Sequence, residues 1–302
     1  MKARRARETN GGYAQNAPSF ILGESDIDVR FPEGVALVLA ALVVGGCRPH
    51  PVAQPKTAAI RQEEHRQWML SPPIAVSLPD EAVVHVVSRG VGCSGTLITN
   101  SLVLTAHHCV VERGPEGEIL DKDLPASALE VELGGDYLPW GTVKVQALVA
   151  PPCGHQGGHG DIAILVLARK LVGLATMEAR LTGLPRLGEP IDAVGFGRCP
   201  MSTDGIHRIR REGGAIEKVG FGSMFAATSI CPGDSGGPAR SQTTGEVVGV
   251  VSAGVMDDDD QTRDPTTFTR LDVWRSLFVN AQLIVDGSSP AEVPPVEGCS
   301  PL

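Results

Sequence analysis

The stretch Cys231-Pro232-Gly233-Asp234-Ser235-Gly236-Gly237-Pro238 constrains this chain more than any other. Ser235 sits among glycines, so the backbone can turn sharply around it and its hydroxyl can be reached. Such a turn can aim the N–H groups of Gly233 and Ser235 at one point, where a developing oxyanion would be held. Taken alone, the stretch could also be a flexible loop. A serine hydroxyl is a weak nucleophile until a base takes its proton, so the sequence must be asked for a base.

It contains one. Leu104-Thr105-Ala106-His107-His108-Cys109 lies upstream, and Asp161-Ile162-Ala163-Ile164-Leu165 lies between the two. A histidine that accepts the serine proton needs a carboxylate to fix its tautomer. The order His, Asp, Ser differs from the subtilisin and α/β-hydrolase orders. In these three motifs the chain resembles the trypsin/chymotrypsin-like serine proteases, from about Ile74 to Ile284. The resemblance implies an all-β fold of two six-stranded antiparallel barrels with a C-terminal α-helix and the site in the cleft between them. It also implies a protein or peptide substrate, no cofactor, and residues 74–286 as the protease domain.

Composition is consistent with that expectation. The 302 residues are 42% hydrophobic, enough for one large domain or two lobes, and 36 Gly and 23 Pro suit short strands joined by turns. A net charge of -9 leaves no basic footprint for nucleic acid. Expected strands are Val83–Val87, Gly95–Ile98, Ser101–Thr105, Ile162–Leu167 and Val247–Val251. Leu271, Trp274, Leu277 and Phe278 fit one helical face, matching the family's C-terminal helix.

Residues 1–46 read as an N-terminal extension ending in a lipoprotein signal. The twelve uncharged residues Val35–Gly46 are too short to span a bilayer but suit a signal-peptide core, and the small residues before Cys47 resemble a bacterial lipobox. The segment departs from that pattern in having Glu33 and only Arg30 where a basic region is expected. Plain secretion and a buried strand are the other readings. Lipidation at Cys47 would place the protein in a bacterial cell envelope, as an outer-membrane lipoprotein. Residues 47–73 read as a tether and 287–302 as a Pro/Ser-rich tail.

Seven cysteines suggest an oxidising compartment. The resemblance implies Cys93–Cys109, which would pin the loop carrying the base. With Cys47 lipidated, elimination against the family pattern leaves Cys199–Cys231 and Cys153–Cys299, although sequence alone allows several connectivities. Of the two adjacent histidines, His108 precedes the cysteine directly, as the family's base does. His107 stands where a small residue is usual. Cys153, His155 and His159 have loose metal-like spacing, which also suits a polar glycine loop, and no metal is expected.

By resemblance, the specificity pocket is built from Ser229, the strand Ser252-Ala253-Gly254, and Thr266. A buried cation needs a paired carboxylate, and Ser229 supplies none. The expected substrates are therefore uncharged, small to medium residues rather than Lys or Arg. Asp257–Asp260 reads as a solvated acidic loop or an attractor of basic substrates. Asp234 corresponds to the aspartate that pairs with a new N-terminal ammonium after zymogen cleavage. The candidate terminus Ile74-Ala75-Val76-Ser77 follows Pro73 and matches poorly, so another protease cuts here, Asp234 has a different partner, or the register differs. Partners expected are a substrate, a protein inhibitor and an activating protease, with the enzyme a monomer. The rival is a non-catalytic envelope binding protein on the same scaffold. A general esterase would use the same three residues.

Overall fold

A computed structural model describes residues 77–135, 138–155, 158–199, 205–211, 213–254 and 265–299. The expected lipidation site Cys47, the tether, the candidate terminus at Ile74 and the Asp257–Asp260 loop lie outside the described residues.

The first half is a closed six-stranded antiparallel barrel. In chain order it uses β1 (Val83–Ser88), β2 (Val91–Thr99), β3 (Leu102–Thr105), β6 (Leu129–Leu133), β7 (Gly141–Val149) and β8 (Ala163–Leu167), closed in the order β1-β2-β3-β8-β7-β6. The hairpin β4 (Val111–Arg113) and β5 (Ile119–Asp123) stands apart. β7 shows why the sequence makes a barrel wall. Val143, Val145, Ala147 and Val149 point inward, while Thr142, Lys144 and Gln146 point to solvent, the two-residue period of a half-buried strand. β6 alternates likewise, and its Glu130 lies opposite Lys144 of β7 and pairs with it.

β8 is buried at every residue because it has cover on both faces. Inside lies the barrel core. Outside lies helix α1 (Arg275–Val285), which buries Leu277, Phe278, Ala281 and Ile284. A continuous apolar run such as Ala163–Leu167 is what two-sided burial demands. Trp274, fully buried ahead of α1, donates its Nε1 hydrogen to the carbonyl of His159 at 2.9 Å. The helical face read from sequence is thus a 3-10 turn, Asp272–Trp274, followed by α1.

The second half departs in detail from a six-stranded barrel. It comprises β9 (Ile191–Gly195), β10 (Ile209–Arg211), β11 (Ile216–Val219), β12 (Ser223–Ala226), β13 (Pro238–Ser241), β14 (Val247–Ala253) and β15 (Thr266–Arg270). These form a curled seven-stranded sheet in the order β10-β9-β13-β14-β15-β12-β11. β10 pairs with the C-terminal end of β9, Ile209 opposite Gly195 and Arg211 opposite Ala193. An isolated bridge, Pro190 to Ala215, then brings the start of β11 to the foot of the same strand. β10 and β11 therefore end the strand order at its two sides, and the sheet has seven strands, curled into a half-barrel, where a six-stranded barrel was expected.

Candidate active site

His108 lies in a 3-10 turn, His107–Cys109, directly after β3, and the disulfide Cys93–Cys109 ties this turn to β2. Asp161 sits at the mouth of β8 and is 2% exposed. A buried carboxylate is costly unless it is hydrogen-bonded, and this one accepts three bonds. His108 N–H donates to Oδ1 at 2.9 Å; His108 Nδ1 and Ser252 Oγ donate to Oδ2 at 2.8 and 2.6 Å. Burial pushes the Asp161 carboxyl up, but the bonds from His108 and Ser252 outweigh it and hold the group below its ordinary value. An ionised carboxylate only accepts, so the proton of neutral His108 resides on Nδ1 and Nε2 carries the lone pair.

The loop after Cys231 supplies the nucleophile candidate. Gly233 has φ +102°, in the region that favours glycine, so the backbone reverses just before Asp234 and Ser235. Ser94 anchors this turn from the barrel. Its Oγ donates to Gly233 O and accepts from Phe196 N, both at 2.8 Å, and its own N–H donates to Ser235 O at 2.8 Å. Gly233 and Ser235 are partly exposed, and among the described residues neither N–H has an acceptor. Two free donors at one turn can bind a developing oxyanion. The Cys109 sulfur lies 3.7 Å from both His108 Nε2 and Ser235 O, which puts the imidazole near the backbone of the serine. No hydrogen bond joins Ser235 Oγ to Nε2 among the described residues; such bonds are often long before substrate binds.

The Asp234 side chain is buried. It is 1% exposed, accepts Gly197 N–H on Oδ1 at 2.8 Å, and accepts Cys231 N–H and Arg211 Nε on Oδ2 at 2.8 and 2.7 Å. A Cβ on Gly195 or Gly197 would run into this carboxylate, which explains the glycines of Gly195-Phe196-Gly197.

The remaining candidates divide. Ser229 and Ala253 are exposed and Gly254 half-buried. Thr266 is fully buried with its hydroxyl on Thr228 O at 2.5 Å. Ser252 was expected in the pocket, yet its hydroxyl is committed to Asp161. His107 is 5% exposed and shares a 2.6 Å hydrogen bond with Asp123, away from Asp161. The disulfides Cys153–Cys299 and Cys199–Cys231 complete the cysteine pairing. Cys153, His155 and His159 do not converge: Cys153 is oxidised, His155 is 3.6 Å from Asp121, and His159 bonds Gly298 O at 3.0 Å. Three disulfides suit an oxidising compartment. Among the described residues no helix is long and apolar enough to cross a membrane.

Trypsin iota of Drosophila melanogaster is 26% identical over 208 residues, spanning 63% of this chain and 78% of that protein. The solved structure of Glu endopeptidase in complex with MPD has a TM-score of 0.54 at 17% identity, over 72% of this chain and 96% of its own. A scabies mite inactivated protease paralogue gives 0.55 at 16%, over 73% and 98%. At such identities the structural likeness shows the fold alone. The curated relatives come from Drosophila and Schistosoma mansoni, so the expected bacterial source gains no support from them. A family model described as Trypsin matches residues 75–277, about two thirds of the sequence, and with the chymotrypsin-like fold around it the chain belongs to the trypsin family of serine proteases.

Proposed function

We propose that the protein is a serine endopeptidase that cleaves peptide bonds through an acyl-enzyme. Ser235 Oγ attacks the scissile carbonyl while His108 Nε2 takes its proton. Asp161 holds the imidazole through Nδ1 and stabilises the imidazolium that forms. The carbonyl oxygen becomes an oxyanion and receives the N–H groups of Gly233 and Ser235. His108 then returns the proton to the leaving amine, and water attacks the acyl-enzyme by the same route. The observation that carries this reading is the buried Asp161 bonded at once to His108 Nδ1, to its backbone N–H and to Ser252. That arrangement fixes the one tautomer that leaves Nε2 free to act as a base.

The pocket reading supports uncharged side chains. Ser229, Ser252, Ala253, Gly254 and Thr266 contribute no carboxylate, so a cation brought in from water would find no partner among them. Membrane anchoring through Cys47 rests on the Val35–Cys47 pattern and is checked by lipid labelling of Cys47→Ser against the unsubstituted chain. The non-catalytic alternative has no support, since all three reacting residues are present.

The test is labelling with a fluorophosphonate followed by peptide mapping. The adduct is expected on Ser235, and Ser235→Ala is expected to lose both label and peptide hydrolysis while keeping the fold. Retained hydrolysis in that variant overturns the assignment. Cleavage of simple esters but of no peptide would turn the reading toward an esterase.

A further inference from the structure

The cation beside the nucleophile loop comes from within the fold. Asp234 lies between Gly233 and Ser235: the Asp234–Ser235 peptide carries one of the two free N–H donors, and the other, on Gly233, belongs to the residue just before it, while the N–H of Asp234 itself is held by Cys231 O at 3.0 Å. Whatever fixes the Asp234 side chain therefore aims those donors. A carboxylate 1% exposed needs a countercharge, because leaving it unpaired costs several kcal/mol. Arg211 Nε meets Oδ2 at 2.7 Å from β10, with the Arg211 side chain itself only 10% exposed. Its Nη2 donates to the carbonyl of Gly197, and the N–H of Gly197 returns to Asp234 Oδ1 at 2.8 Å. Guanidinium, carboxylate and the backbone of Gly197 thus close a ring. The Cys231 N–H closes a second bond on Oδ2, within the loop itself.

We infer that Arg211 is the positioning residue for the oxyanion donors, so that the site is assembled by a side chain of the folded chain and does not wait for a new chain terminus. This rests on the serine-hydrolase reading of Ser235 and concerns how that site is regulated. β10 is held by its ladder to β9, Arg211 opposite Ala193, so the guanidinium is delivered by sheet register. The space around the carboxylate is already filled. Gly195 and Gly197 press against it where any Cβ would collide, and both oxygens hold their donors. The consequence is an enzyme competent while the residues before Ile74 are still attached.

The chemistry of the two possible cations separates them. A guanidinium stays charged through the alkaline range, whereas an α-ammonium loses its proton near pH 8. The experiment follows the rate of fluorophosphonate labelling of the full chain against pH, with the N-terminus of the labelled species read by mass spectrometry. Expected is an adduct on chains that keep residues upstream of 74, formed at a rate that does not fall between about pH 8 and pH 10. Arg211→Lys is expected to label at pH 8 but to acquire an alkaline limb near pH 10, where a lysine ammonium titrates. Arg211→Gln is expected to lose about a hundredfold in kcat with KM little changed, because loss of transition-state donors costs about that much. If the glutamine variant fails to fold, the wild-type profile and the lysine variant still decide.

Three results overturn the inference while leaving Ser235 as nucleophile. They are labelling confined to chains cut near residue 74, a wild-type rate that falls tenfold per unit above about pH 8, or an undiminished Arg211→Gln. Failure of every form to label overturns both the inference and the protease reading.

Discussion

Asp161→Asn separates the role of charge at this position from the role of shape. The amide has nearly the volume of the carboxylate but offers one acceptor and one donor. His108 N–H is an obligatory donor to the Oδ1 position at 2.9 Å, so the amide oxygen goes there. The NH2 group then occupies the Oδ2 position and faces His108 Nδ1, which lies 2.8 Å away. Nδ1 must accept, the ring proton moves to Nε2, and the imidazole presents an N–H to Ser235 where a lone pair is required. The imidazolium formed during attack also loses its counterion. At about 4 Å and an effective dielectric of about 20, that is about 4 kcal/mol. The hydrogen bond that must break to restore the working tautomer adds about 1.5 kcal/mol. About 5.5 kcal/mol corresponds to about 10⁴-fold in kcat. The assay is steady-state peptide hydrolysis near pH 8, with burst titration to count competent sites. A variant within tenfold of the wild-type kcat would refute the claim that Asp161 sets the tautomer of His108. The same variant tests acid stability. Asp161 is held below its unfolded value, so its contribution is full above the unfolded value of about 4 and is lost as pH falls through the lower folded value. Asp161→Asn should therefore show a shallower loss of stability on acidification.

Ser252→Ala removes one of the three donors to Asp161 but leaves both His108 bonds. Hydrolysis should stay within a few-fold of wild type near pH 8, while the loss of unfolding stability on acidification becomes shallower because one bond that lowers the Asp161 carboxyl is gone; an unchanged acid dependence counts against this role. Paired Cys153→Ser and Cys299→Ser opens a link across 146 residues of sequence and should lower unfolding stability by about 2–5 kcal/mol in a urea titration. Its kcat/KM at room temperature should stay within a few-fold, since the hydrogen bonds described for His108, Ser235 and Ser252 involve neither cysteine.

The sequence disclosed what is local. Ser235 among glycines, His108 against Cys109, and Asp161 opening an apolar run each carry their signal within a few residues. The proposed chemistry calls for those neighbours, so the candidates could be named directly. β8 could be read as a strand because burial on both faces leaves an unbroken run, Ala163–Leu167. The seven-strand count could not, because the division between β10 and β11 depends on how both meet β9. The destinations of side chains across the sheets were equally hidden. The family resemblance places Ser252 in the pocket, and only the fold reveals that its hydroxyl turns to Asp161. Arg211 gave no sign at all. A basic residue in a short strand looks like a solvated one, and its approach to Asp234, 23 residues later, is created by register.

Those hidden contacts have a common geometry. Ser94 belongs to β2 of the barrel, yet its hydroxyl holds Gly233 and Phe196 in the other half. Ser252 belongs to β14 of the open sheet, yet its hydroxyl holds Asp161 at the mouth of a barrel strand. Each half thus lends one buried hydroxyl to the element that carries the other half's reacting group. His108 and Asp161 ride on the barrel and Ser235 on the sheet, so their mutual placement is the placement of the two halves. A slide of one half by an ångström would stretch both bonds at once and leave polar groups unsatisfied in buried surroundings, at about 1–3 kcal/mol each. The two serines act as a pair of crossed struts, and they resist the displacement that would part His108, the proposed base, from Ser235, the proposed nucleophile.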